Sequence, residues 1–434
     1  MYFLQSAFFD SKYLIGGEKK AMPKLMYEKK SNGRLNLVSK VYQTDSIFGQ
    51  EDVDGMFLQL KANVCDLNPA LVVKSITGTE QDFIMLMNRA RDYVERVFPL
   101  ASVELKRQLL EMFRQCVFGY YVLTPLIVAK DVSDIKVLDY DRIVVKANGE
   151  RYVSDVKFFS EEDYKSWYER ILRIHKLGKS EEYALGHCTD RKGVDAFYLR
   201  IDVQLSCITS TEKNNIHIRK MPKEKLSWEY LKENGMLDDE MIDYLKDRIM
   251  SGYGFLISGR GGSGKSTLLN NMLDIIPYNE SILVSQESDE LYSHEHPQIQ
   301  FEHTMTVRKN DTVTEFTLED ELRLGLLQDI DNFVIGEIKG GEALHVFTTA
   351  MSTGARFFGT IHSNDARSSV TRLAQCARYV SDYPMETLEE MLTCMPFVLI
   401  HMSHFSIDEI VEIDGWDEKE KRLKYQTVYL KEVA

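Results

Sequence analysis

Gly259-Arg-Gly-Gly-Ser-Gly-Lys265-Ser266-Thr267 is the stretch on which the reading of this chain turns. It follows the apolar run Phe255-Leu-Ile257 and precedes a helical segment that Pro277 closes. The pattern G-x-x-x-x-G-K-[ST] is therefore met in the strand, turn and helix setting that its chemistry requires. Glycines let the backbone curl so that successive N–H groups and the positive end of the next helix converge on one point, which suits a phosphate. Gly259, Gly261, Gly262, Ser263, Gly264, Lys265, Ser266 and Thr267 are assigned to the binding of ATP, with Lys265 reaching the β- and γ-phosphates and the Ser266 hydroxyl on Mg²⁺.

The flanking sequence continues that pattern. Apolar runs at Ile282 to Val284, Phe333 to Ile335 and Phe357 to Ile361 read as buried parallel strands of an α/β domain. Upstream, Leu237, Met241, Leu245 and Ile249 recur every four residues, the buried stripe of a helix that Gly252 ends. Pro222 and Lys223-Glu-Lys225 mark a linker, so the ATPase domain is set at 223–434. A smaller α/β domain is expected over 131–222. There Asp141 to Val153 reads as strand, Asn148-Gly149 turn and strand, Ser160-Glu-Glu-Asp163 as a capping box opening a helix through Trp167, Ile171 and Ile174, and strands resume at Ala196 to Leu205 and Asn215 to Lys220. Helical spacing from Phe83 to Phe113 makes 66–130 a helical region. Residues 1–65 are assigned to a β-rich extension, on the alternation from Lys24 to Tyr42 around the Ser31-Asn32-Gly33 turn.

Bulk properties narrow the function. With 434 residues the chain exceeds one ordinary core, and 44% hydrophobic with 28% charged residues is the composition of a folded globular protein. A net charge of -14 opposes a role that rests on neutralising nucleic-acid backbones. The six cysteines form no CxxC pair or Cys/His cluster, so neither zinc nor a disulfide framework is indicated, and reduced thiols fit a cytoplasmic setting. The Met1-Tyr-Phe-Leu start lacks the basic flank of a signal peptide. The apolar run from Gly119 to Ala129 is about half the roughly 20 residues of a membrane span, so any membrane association is expected through partners or surface contact.

A second phosphate-side group is expected on a neighbouring strand, and Asp331-Asn-Phe-Val-Ile-Gly-Glu337 ends in a carboxylate where ligands sit in open α/β sheets. A glutamate after a strand is commonplace in itself. The continuation Val334-Ile-Gly-Glu337-Ile-Lys-Gly-Gly-Glu342-Ala343, followed by Gly359-Thr-Ile-His362-Ser-Asn364, is similar to the Walker B and His boxes of the secretion ATPase superfamily, which powers type IV and Tad pili and type II and type IV secretion. Ser285-Gln-Glu287-Ser-Asp-Glu290-Leu291 falls where that family has its Asp box, and Leu123-Thr-Pro-Leu126 with Val132-Ser-Asp-Ile135-Lys-Val resembles its amino-terminal domain.

The resemblance implies a RecA-like P-loop NTPase domain behind a smaller α/β amino-terminal domain preceded by a helical segment. It implies a cytoplasmic motor at the inner face of the membrane, a homo-oligomer, as a hexamer, working on an inner-membrane platform protein. By the same resemblance Glu337 polarises the attacking water, Glu287 and Glu290 act around the metal and nucleotide with Glu287 beside Ser266 on Mg²⁺, and His362 senses the γ-phosphate. Arg200 and Arg219 match basic positions that contact nucleotide phosphates in relatives; exposed strand arginines are the plainer reading. Three departures stand out: no arginine in Leu326 to Asp331, Lys339 in place of the usual arginine, and Gln286-Glu287 where Glu-Asp is expected. The absent tetracysteine insert favours the Tad-like or type IV secretion-like branch. Two alternatives stay open: a nucleic-acid translocase, and a nucleotide-gated scaffold with weak hydrolysis.

Overall fold

The computed structural model describes residues 25–29, 35–39, 50–192, 194, 196–309 and 312–431. They fall into two compact units divided between Lys223 and Glu224.

The first unit opens with β1 (Leu25–Lys29) and β2 (Leu35–Ser39), which pair antiparallel; the Ser31-Asn32-Gly33 turn lies outside the described residues. Helices then run over Gln50–Lys61, Pro69–Thr77, Glu80–Val97 and Val103–Phe118, so helical structure reaches back to Gln50. Their boundaries follow from capping. Thr79 and Asp82 close a capping box, and the Ser102 hydroxyl accepts from the Leu105 N–H. The stripe Phe83, Ala90, Tyr93 and Val94 is buried against Leu105, Leu109 and Phe113.

Six further strands complete this unit: β3 (Val132–Asp139), β4 (Arg142–Ala147), β5 (Glu150–Ser154), β6 (Leu185–Asp190), β7 (Phe197–Gln204) and β8 (Asn215–Pro222). They form one sheet in the order β1-β2-β5-β4-β3-β8-β7-β6, antiparallel except for the parallel β2–β5 pair. Asn148 (φ 50°) and Gly149 (φ 84°) supply the two left-handed residues that a two-residue hairpin between β4 and β5 needs. Helix Glu161–Ile174 packs Trp167 and Ile171 into the core. Ser160 caps it by accepting from the Asp163 N–H, but the Asp163 carboxylate pairs with Lys61, 2.6 Å away and buried. Breaking such a pair leaves an uncompensated buried charge, typically costing about 3–5 kcal/mol.

The second unit is a doubly wound α/β domain. Its strands are β9 (Gly254–Gly259), β10 (Ile282–Gln286), β11 (Ile299–His303), β14 (Asn332–Ile338), β15 (Arg356–Ile361), β16 (Phe397–Ser403), β17 (Ser406–Asp417) and β18 (Arg422–Leu430), with β12 (Met305–Lys309) and β13 (Thr312–Phe316) forming a separate hairpin. The sheet order is β11-β10-β14-β15-β9-β16-β17-β18, parallel from β11 to β16 and antiparallel beyond. Alternate residues of the central strands feed opposite cores. Phe255, Ile257, Val284 and Phe358 pack with Met241, Leu245 and Leu269, whereas Leu256, Leu283, Phe333 and Phe357 pack with Val346, Phe347 and Leu373. Both faces being covered explains why these strands read as unbroken apolar runs.

Candidate active site

Strand β9 is buried at all six positions and lies between β15 and β16, so its carboxyl end is held from both sides. The chain leaves it at Gly259, with φ 145°, where a Cβ would stand 2.2 Å from the Met402 carbonyl oxygen. It re-enters helix at Gly264, the left-handed N-cap (φ 100°) of Lys265–Leu273. Neither place accepts a side chain. Lys265 is 7% exposed, and its Nζ donates to the carbonyls of Gly259 (3.0 Å) and Arg260 (3.1 Å). Burial pushes this amine below its ordinary value, against the pull of Glu337 and Glu290. The Ser263 hydroxyl is buried in the same loop and has no hydrogen-bond partner among the described residues. A cationic amine and an unsatisfied hydroxyl turned into a glycine loop suit an anion of several oxygens.

Glu337 sits on β14 where the pairing with β15 becomes irregular between Ile335 and Ile338. Its Oε1 lies 2.6 Å from His362 Nε2 and its Oε2 2.9 Å from Lys339 Nζ. Burial raises this carboxyl, but Lys339, His362 and Lys265 together outweigh burial and hold it below its ordinary value. The other ring nitrogen of His362, Nδ1, donates to the Gly259 carbonyl at 2.9 Å, since a carbonyl can only accept. One imidazole thus joins the start of the glycine loop to the carboxylate. The turn after β14 is pinned by the nearly buried Glu342, whose Oε1 accepts from the N–H groups of Lys339 (2.5 Å) and Gly340 (2.8 Å).

A second carboxylate arrives on the loop after β10. Glu290 Oε2 accepts from the Ser266 hydroxyl at 3.3 Å. Its loop is stapled by two buried amides: Gln286 accepts from the N–H groups of Glu290 (3.0 Å) and Leu291 (2.8 Å), while Asn270, on the helix after the glycine loop, donates to the Glu290 carbonyl (2.9 Å) and accepts from Tyr292 N–H (2.8 Å). Glu287 turns elsewhere, to Lys339 Nζ at 2.5 Å. The burial of Lys339 is outweighed by Glu287 and Glu337, and its amine is raised.

The donor set around Ser266 can be tested against Mg²⁺, a hard cation that takes one or two protein oxygens and completes its octahedron with phosphate and water. A serine hydroxyl facing a carboxylate oxygen fits that requirement. Among the described residues no cluster of three or more His, Cys, Asp or Glu offers a metal site of its own, so an ion here would be held jointly with phosphate.

The structure therefore brings Gly259 to Thr267, Glu290, Glu337 and His362 together, with Glu287 joined through Lys339. Arg200 and Arg219 belong to the first unit and stand opposite each other on β7 and β8. Arg219 Nε reaches Asp134 at 3.0 Å and Arg200 Nε reaches Asp202 at 3.4 Å, with His217 contacting both acids. Burial pushes the Asp134 carboxyl up, and its bonds to His217, Arg219 and Ser133 more than reverse this, leaving it far below the carboxylate range. Asn270 and Gln286 escape a reading of motifs, because neutral amides have no periodic signature; the only trace is the departure at Gln286.

Fold and site together define a RecA-like α/β domain whose glycine loop is shaped to hold an anion. Residues 195–389 match the family described as Type II/IV secretion system protein. A putative conjugal transfer protein of Mycobacterium tuberculosis is 24% identical over 318 residues, spanning 72% of this chain and 88% of the relative. The type IV secretion system protein VirB11 of Brucella suis is 24% identical over 196 residues, 43% of this chain and 52% of VirB11. Among solved structures, the Legionella pneumophila ATPase DotB is similar at 16% identity and TM-score 0.47, over 71% of this chain and 79% of DotB. The pilus retraction motor PilT with bound ADP stands at 20% identity and TM-score 0.45, over 70% of this chain and 80% of PilT. Among the described residues no helix is long and apolar enough to cross a membrane.

Proposed function

We propose that this chain is a cytoplasmic, Mg²⁺-dependent ATP hydrolase that works as a homo-oligomeric ring, a hexamer, and drives pilus assembly or macromolecular secretion through an inner-membrane platform protein. The observation that carries the reading is the chain of contacts from the Gly259 carbonyl through His362 to Glu337 beside a loop bearing a buried lysine. The loop N–H groups and Lys265 bind the phosphates, and Ser266 with Glu290 holds the metal edge. When bound, Mg²⁺ neutralises charge on the β- and γ-phosphate oxygens. Glu337, kept ionised by Lys339, orients a water toward the terminal phosphate and takes up its proton. His362 transmits the presence of that phosphate to Glu337. Glu287 acts through Lys339, and Arg200 and Arg219 are assigned to phosphate contacts by resemblance. Lys265→Ala is expected to abolish ATP turnover and to weaken nucleotide binding sharply; a variant that hydrolyses Mg-ATP at the wild-type rate refutes the assignment.

The name of the mycobacterial relative favours a second reading, movement of nucleic acid in conjugation. The net charge of -14 counts against it. Stimulation of turnover by DNA, with none by membranes carrying a platform protein, would decide for it.

A further inference from the structure

Beside the glycine loop, within the second unit, lies a cleft of about 430 Å³. Gly259, Arg260 and His362 line it together with Ser368, Arg372 and Gln375 of helix Ala366–Ala377. No aspartate or glutamate lines it. The exposed Arg260 guanidinium has no hydrogen-bond or ion-pair partner among the described residues, and Arg372 meets only the Tyr379 hydroxyl, at 3.4 Å. In a chain with 67 acidic and 53 basic residues, two arginines turned into one acid-free cleft is an unusual charge arrangement. Like charges around a shared space repel unless an anion enters it. The volume holds a phosphoryl group with several waters, each taking about 30 Å³.

The position of the cleft says which anion. It borders the first two residues of the glycine loop and His362, whose ring also touches Glu337. Phosphoryl transfer needs cations at the equatorial oxygens of the moving group as well as a metal. The stretch Leu326 to Asp331 offers no arginine, and the Lys339 ammonium is already shared by Glu287 and Glu337. Arg260 remains.

We propose that the cleft receives the terminal phosphoryl group of the nucleotide held by the same loop, and that Arg260 is a catalytic residue that neutralises its developing charge, with Arg372 closing the far wall. The inference rests on the ATPase reading of the loop at Lys265. In the step, a water oxygen forms the new bond to phosphorus, the bond to the β–γ bridging oxygen breaks with its electron pair leaving on ADP, and the water's proton passes through Glu337 to phosphate or solvent. Arg260 only donates hydrogen bonds, and it exchanges no proton.

The test compares Arg260→Ala, Arg260→Lys and Arg372→Ala in the full chain, reading Mg-ATP turnover, the affinities for a non-hydrolysable ATP analogue and for ADP, self-association, and melting temperature. Arg260→Ala is expected to lower kcat about 100-fold, to weaken the analogue but not ADP, and to melt like wild type. Arg260→Lys should recover part of the loss because charge returns without the bidentate fork. Arg372→Ala should show a smaller loss of the same kind. Unchanged kcat and an unchanged analogue-to-ADP ratio in Arg260→Ala overturn the proposal. So does weakened self-association at a constant ratio, which would mean that the cleft takes an acidic side chain from a second copy. If wild type and Lys265→Ala alike fail to bind nucleotide, the ATPase reading itself has failed, a result distinct from either.

Discussion

The loop after β10 and the carboxyl end of β14 both deliver a carboxylate to the glycine loop, and they hold it by opposite means. Glu290 stands on a backbone fixed by the neutral amides of Gln286 and Asn270, whereas Glu337 is held by the charges of Lys339 and His362. Amide staples inside a protein respond little to salt or pH, because no proton or counterion enters the bond. Ion pairs between half-exposed groups respond to both. The difference separates a fixed carboxylate suited to gripping a metal from a tunable one suited to handling a proton.

That contrast breaks most sharply at Glu337. Glu337→Gln retains the shape but loses the base, so turnover should fall about 100-fold or more while nucleotide stays bound; steady-state ATPase rates and filter retention of labelled ATP measure the two halves. Wild-type turnover in this variant would strip Glu337 of its role. Next in size is Gln286→Ala, which leaves the Glu290 and Leu291 N–H groups without their acceptor and should destabilise the unit by about 1–3 kcal/mol. Urea unfolding at low and high salt should give the same loss, and a strongly salt-dependent loss would contradict the amide-staple account.

The smallest effect is expected from Lys339→Met, read against pH. Glu337 lies below its ordinary value of 4.5, so its contribution to stability is present above that pH and is lost as pH falls through the folded value. Without Lys339, only His362 and Lys265 oppose burial, and the carboxyl titrates higher than in the wild type. The acid limb of kcat/KM should then move to higher pH, and the stability gap between variant and wild type, at most about 1 kcal/mol for so exposed a lysine, should close in acid. A pH profile that superimposes on wild type would show that Lys339 does not tune this acid.

How far such detail can be read in advance differs by region. The glycine loop, the parallel strands and the Asn148-Gly149 hairpin are local in sequence, and each announces itself through a short pattern tied to one backbone conformation. Asp163 shows where locality ends. Its spacing from Ser160 describes a full capping box, yet the carboxylate goes to Lys61, 102 residues away, and only the backbone half of the box forms. Gln286 was visible only as a deviation from an acidic pattern, because its value lies in two backbone N–H groups brought to it by a turn. Arg260 occupies a variable position inside a recognised motif, and nothing in the spacing distinguishes it from filler until the cleft around it is seen.

Gly336 sets the clearance between these two differently built supports. Its carbonyl accepts from the Thr360 hydroxyl at 2.6 Å on one side, and a methyl group added to it would stand 3.0 Å from the Cβ of Gln286 on the other. The smallest carbon substituent there would press on Gln286 and ask it to give by a few tenths of an ångström, so Gly336→Ala loads the seam between the gripping acid and the proton-handling one while leaving every ionisable and amide group in place.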